Sequence, residues 1–151
     1  MNSGEYEQLI SVISQELTND TKLRDAGIKQ FGKKNLWEGA SGFLHQIDAS
    51  IHNDTDALLI ECKCWGKVVR SIEFLTFLGR LVDIKGNPQN QNLNVRGAIV
   101  TTEGWQSGLE KLVRHYSEMC SIFVATDEGI KKMIHTHFIR PGSIPSGPKE
   151  V

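Results

Sequence analysis

The sequence predicts an α/β domain on a mixed sheet, in the order helix, three antiparallel strands, helix, strand, helix, strand, helix. Three observations carry this. Residues 46–51 and 58–63 are two Ile- and Leu-rich runs around the polar turn His52-Asn53-Asp54-Thr55-Asp56. Short apolar runs flanking an Asn/Asp cluster mark a hairpin. Residues 98–101 and 120–125 are two more short apolar runs with a helical pattern between them. Strand, helix, strand of that length requires parallel neighbours joined by a right-handed crossover. Finally, Tyr6, Leu9, Ile10, Ile13 and Leu17 recur at helical spacing ahead of the strands.

Taken in order, residues 3–17 form an amphipathic helix with Ser3 as N-cap and Glu5 in its first turn. Residues 18–42 carry four glycines (Gly27, Gly32, Gly39, Gly42), the bases Lys29, Lys33 and Lys34, and Trp37. The pattern predicts a short strand over 35–38 that turns through 39–42 into the strand of Asp48. Residues 71–84 form a helix capped by Ser71. Its Ile72, Phe74, Leu75, Phe77, Leu78, Leu81 and Val82 make it too apolar all round for a surface helix. One face must pack on the sheet and the extra face on something else, such as a second subunit. Residues 86–92 are turn formers and predict an exposed, mobile loop. After the strand at 98–101 comes a helix over 103–117, with Trp105, Leu109, Leu112 and Tyr116 on one stripe. The strand at 120–125 is followed by a short helix capped by Thr126 and carrying Ile130, Met133 and Ile134. Residues 1–138 thus form one domain, and the Pro- and Gly-rich 139–151 a disordered tail.

Composition narrows the function. No apolar run approaches the ~20 residues of a membrane span, and the N-terminus lacks the basic and apolar regions of a signal peptide. A cytoplasmic protein with no membrane partner follows. Three cysteines, an odd number, argue against a disulfide framework. The net charge of −1 means that any nucleic-acid partner must be held by local basic patches, helped by metal ions. The chain has no Gly-x-Gly-x-x-Gly and no phosphate-loop Gly-Lys-Ser/Thr, so no nucleotide cofactor is expected. It also lacks Gly-x-Ser-x-Gly, the strained turn that presents a hydrolytic serine. His135 and His137, two residues apart on a helix, point away from each other and are set aside as a metal pair.

The chemistry concentrates in the hairpin. Folding about Asp54 sets Asp48 opposite Ile60 and next to Glu61, within a few ångströms of it. Side chains alternate along a strand, so Glu61 and Lys63 share one face and Cys62 takes the other. As edge charges these residues would be solvated surface. At the end of the apolar run 57–60, two clustered carboxylates instead suit a hard cation such as Mg²⁺. A lysine beside that cation can orient a water and stabilise charge developing on a phosphate. Gln46 shares the face of Asp48 and can hold a water or a phosphate oxygen.

Asp48 followed by Glu61-Cys62-Lys63 resembles the active-site signature of the PD-(D/E)XK nuclease superfamily. Gly97-Ala98-Ile99-Val100-Thr101-Thr102, the helix after it and Ser121-Ile122-Phe123-Val124 resemble its Mrr-type restriction-endonuclease branch. Ile47 stands where many members have Pro, a position that varies in the superfamily. The resemblance implies a restriction-endonuclease-like mixed sheet with an αβββαβ core. It also implies Mg²⁺-dependent hydrolysis of DNA phosphodiesters, of restriction or repair and recombination type, with Mn²⁺ as a substitute. Asp48, Glu61 and the Cys62 carbonyl would ligate the metal, and an acid on the first helix, matched by Glu7, would complete the site. Lys63 would act on the attacking water or the transition state, with Gln46 beside it. Lys33, Lys34, Trp37 and Lys67 are the expected DNA contacts; the alternative for Trp37 is burial against the core. A homodimer would present two sites to the two strands of a duplex. The competing class is a non-catalytic DNA-binding or assembly module that keeps the fold.

Overall fold

The structure, a computed structural model, describes residues 3–25, 29–30, 36–63 and 66–139. Its centre is the expected hairpin, β4 (Ala49–His52) and β5 (Asp56–Lys63), paired antiparallel. Asn53 closes the turn: its Oδ1 accepts from the amides of Thr55 (3.0 Å) and Asp56 (2.7 Å). That closure sets the register Ala49↔Ile60 and Ser50↔Leu59. Asp48, one residue before β4, therefore lies across from Glu61 rather than Ile60, which corrects the expected register by one residue and brings the acids closer.

Around this pair the sheet runs β1-β4-β5-β6-β7. The two-residue β1 (Lys29–Gln30) is antiparallel to β4, while β6 (Asn94–Thr101) and β7 (Cys120–Val124) extend the other side in parallel. With α1 (Ser3–Asn19) before β1 and α3 (Ser71–Lys85) between β5 and β6, the chain follows the expected αβββαβ order. A short α2 (Thr21–Asp25) follows α1.

Helices cover both faces of the sheet. Leu58, Ile60 and Cys62 of β5, with Ala98 and Val100 of β6, pack against Leu9, Val12 and Ile13 of α1 and Ile130, Met133 and Ile134 of α5 (Asp127–Phe138). The alternate residues Ala57 and Leu59, with Val95 and Ile99, face Phe74, Phe77 and Leu81 of α3. Leu109 and Val113 of α4 (Leu109–His115) join that second layer. The period-2 alternation puts Glu61 and Lys63 on this second face. Gly97 lets α3 lie close on β6, since a Cβ there would sit 2.5 Å from Leu81 Cδ1 and 2.7 Å from Phe77 Cε2.

Several expectations need correction. The strand over 35–38 exists as β2 (Leu36–Glu38), but it pairs with β3 (Leu44–Gln46) in a separate hairpin inserted between β1 and β4. Asp83 of α3 holds that hairpin: its carboxylate accepts from the Ser41 amide (3.0 Å) and hydroxyl (2.7 Å) and meets His45 Nε2 at 2.7 Å. The loop over 86–92 contains a 3₁₀ turn, Pro88–Asn90, and Asn87 is buried. Asn87 Nδ2 donates to the carbonyls of Glu38 (3.1 Å) and Gly39 (3.2 Å), so the loop is sewn to the hairpin. α4 is shorter than the expected 103–117 because Gly104 and Gly108 take left-handed backbone (φ +80° and +87°), and Trp105 is bridged to Val69 instead. Ser71 is the first helical residue of α3, and Arg70 stands at the cap position, its amide donating to Glu73 Oε1 at 2.9 Å.

The apolar surplus of α3 is largely covered within one chain: Phe74, Phe77 and Leu78 are all buried. Ile72, Leu75 and Val82 stay exposed. The Thr126 cap is present, its Oγ1 accepting from the Gly129 amide at 3.0 Å. Cys62 and Cys120 are buried thiols. Among the described residues, no helix is long and apolar enough to cross a membrane. Lys33, Lys34 and residues 140–151 of the expected tail lie outside the described residues.

Candidate active site

Two backbone features bring the acids together. Asp48 sits in the bend between β3 and β4, and its Oδ2 accepts from the Cys62 amide at 2.8 Å. Glu61, only 8% exposed, projects from β5, two residues before its end, toward α3. Its Oε2 receives Arg80 Nη1 at 3.0 Å and lies 3.5 Å from Lys63 Nζ. Arg80 also donates through Nη2 to the Gln46 carbonyl, two residues before Asp48. Glu61, Lys63 and Arg80 line a cleft of about 160 Å³ with Arg70, Glu73 and Thr76. The last acid in this cleft is already matched, because Arg70 Nη2 meets Glu73 Oε2 at 2.7 Å and holds its carboxyl below the usual range.

The electrostatics follow from burial. Glu61 is pushed above the ordinary carboxylate range, first by loss of water and then by the charge of Asp48, while Arg80 and Lys63 pull it back. Two acids so placed are stabilised by a proton, by neighbouring cations or by a bound metal ion. Hard oxygen donors side by side, one facing a cleft, fit Mg²⁺ or Mn²⁺ chemically.

The other candidates divide. Gln46 joins the site through its carbonyl, while its side chain is exposed. Cys62 contributes its amide to Asp48, and its side chain enters the layer under α1 and α5. Glu7 is exposed on α1, whose buried face covers the opposite side of the sheet from Glu61 and Lys63. The described contacts do not bring it to the pair. Trp37 is buried (7% exposed) in the core against α3, which corrects its assignment as a DNA contact. The reason is the β2–β3 hairpin, whose alternation turns Trp37 and His45 inward and Leu36, Glu38, Leu44 and Gln46 outward. Lys67 is exposed shortly after β5. Arg80 was missed from sequence. The available signal was a lone base on an otherwise apolar stretch of helix, at i+3 from Phe77.

No family model matches this chain, and no curated protein matches it. Among solved structures, a protein of unknown function, AF1548, is similar over 80% of this chain and 57% of its own, with a TM-score of 0.55 and 13% identity. The MspJI restriction endonuclease, solved in complex with a 27-mer oligonucleotide, is similar over 97% of this chain and 35% of its own. There the TM-score is 0.45 and the identity 13%. The chain thus spans less than two thirds of the length of either neighbour, and the likeness to AF1548 is one of fold.

Proposed function

We propose that the protein is a metal-dependent nuclease that hydrolyses DNA phosphodiester bonds. The observation that carries this is the meeting of Asp48, Glu61 and Lys63, with Glu61 buried and held above its ordinary range beside a second acid. Asp48 and Glu61, with the Cys62 carbonyl, would hold Mg²⁺ or Mn²⁺. Such an ion, when bound, supplies positive charge to the scissile phosphate and acidifies a bound water. Lys63, on the same strand face, orients the attacking water and stabilises charge on the phosphoryl oxygens. Arg80 fixes the Glu61 carboxylate and ties it to the backbone before Asp48.

One observation favours the second reading, a DNA-binding or assembly module without catalysis. Glu61 is already paired with two cations, so the charge set is compensated without a metal. Cleavage assays on duplex, nicked, branched and methylated DNA, with Mg²⁺ or Mn²⁺, separate the two. The nuclease reading expects cleavage by the parent chain and none by Asp48→Asn or Glu61→Gln, with Mg²⁺ binding lost in calorimetry. Mg²⁺ affinity unchanged in the double variant, or DNA binding without cleavage of any form, supports the module. Homodimer formation is a further part of the proposal, with the exposed Ile72, Leu75 and Val82 stripe of α3 as its face. Light scattering that gives the mass of one chain, with and without DNA, would remove it.

A further inference from the structure

We propose that Glu16, Asp20 and His135 form a second metal site, for a borderline divalent ion of the Zn²⁺ class, which fastens α1 to α5. Glu16 and Asp20 lie one helical turn apart at the C-terminal end of α1, and His135 faces them from α5. His135 Nε2 is 3.1 Å from Glu16 Oε2 and 3.2 Å from Asp20 Oδ2. All three donor atoms fall within 4.8 Å of one another. Around an ion with bonds of about 2.0–2.2 Å, neighbouring donors in four- to six-coordinate geometry stand roughly 3.0–3.4 Å apart. The two His–carboxylate separations are such edges.

The donors are also oriented from outside the triad. Asp20 uses its other oxygen, Oδ1, to accept from the amides of Lys22 (2.9 Å) and Leu23 (3.4 Å), capping α2 and turning Oδ2 toward His135. Glu16 has its other oxygen, Oε1, 3.8 Å from Lys131 Nζ, which leaves Oε2 toward the imidazole. Outer partners that fix carboxylate orientation in this way are a regular part of metal sites. The donor set is one imidazole and two carboxylates, with room for water in the remaining positions. That combination suits Zn²⁺ better than Mg²⁺, which prefers oxygen alone. It is separate from the Asp48–Glu61 pair, since α1 and α5 cover the other face of the sheet.

The competing account is an ion pair in which a protonated His135 bridges the two acids with no metal. The test uses the full chain carrying Asp48→Asn and Glu61→Gln, so that the other acids contribute nothing. Zn²⁺ alone is titrated by calorimetry, and Co²⁺ alone by its visible absorption. The proposal expects one equivalent bound and a thermal midpoint raised by several degrees with Zn²⁺. His135→Gln and the near-isosteric Glu16→Gln should each weaken binding more than about tenfold and abolish the thermal shift. Co²⁺ bound by the parent should show an imidazole-dependent visible band that His135→Gln loses. Absence of saturable binding, or equal affinity in parent and both variants, overturns the site and leaves the ion pair. Because the readouts are metal binding and melting, failure here leaves the nuclease proposal standing, and failure of that proposal leaves this one.

Discussion

His137 makes the fold sensitive to acid, and the size of the effect follows from its surroundings. The ring is 5% exposed, packs edge-on against Phe123 and donates from Nδ1 to the Met133 carbonyl at 2.7 Å. Burial, then the positive charge of Arg96, lowers its pKa from 6.5 to about 4, against smaller opposing effects of the Met133 hydrogen bond and Asp56. Above pH 6.5 the ring is neutral folded or unfolded, and its contribution to stability is fully present. As pH falls from 6.5 toward 4, the unfolded chain takes up a proton that the folded chain refuses, so stability is lost. Below about 4 both states are protonated and the loss stops growing. At 1.36 kcal/mol per pKa unit, the shift amounts to about 3 kcal/mol. The perturbation is His137→Phe, which keeps a ring against Phe123 and removes the titration. It forfeits one hydrogen bond, at about 1 kcal/mol. Urea unfolding of parent and variant across roughly pH 4–7 gives the difference in stability, in which all other titrating groups cancel. The parent should be the more stable near neutrality and lose that advantage, then reverse it, as pH falls through the window. A difference between parent and variant that stays constant across the window would refute the reasoning.

The remaining predictions concern the proposed active site and the helix that frames it. If the proposed nuclease reading holds, Lys63→Ala should abolish cleavage while oligonucleotide binding, measured by anisotropy, falls only modestly, because the role proposed for it is at the scissile phosphate; cleavage near the parent rate counts against that role. Gly97→Ala should destabilise by about 1–3 kcal/mol, since its Cβ meets Leu81 and Phe77 in a packed layer. Displacing α3 also moves Arg80, so cleavage by the folded variant should fall more than its unfolded fraction explains.

The β4–β5 pair and the β6–α4–β7 unit were legible because burial on a sheet imposes runs and alternation that survive in a single sequence. The register was off by one because Asn53, rather than symmetry about Asp54, closes the turn. α4 was overextended because a helical stripe through Trp105 and Leu109 carries no notice that Gly104 and Gly108 adopt left-handed backbone. The surplus apolar face of α3 was legible only in part, for a different reason. Phe74, Phe77 and Leu78 are covered by a layer that includes Trp37, Ile47 and Ile99, contacts between segments far apart in the chain. Arg80 and Asp83 escaped notice on the same ground, since their partners Glu61, Gln46, Ser41 and His45 lie 19 to 42 residues upstream and no local period marks them.

Those two residues explain how a small sheet holds two acids together. Asp48 is fixed by a main-chain amide of β5, so its position depends on the strand and not on the residue beside it. Glu61 is fixed by a side chain of α3, and the same guanidinium grips the Gln46 carbonyl just before the Asp48 bend. One turn further along α3, Asp83 holds the β2–β3 hairpin, whose last strand ends at Gln46. The separation of the two carboxylates therefore depends on where α3 lies on the sheet, and a Cβ at Gly97 would meet Leu81 and Phe77 and push the helix away. A change in α3 packing that leaves both acids and Lys63 untouched alters their spacing. The helix belongs to the site as much as the strand that carries its charges.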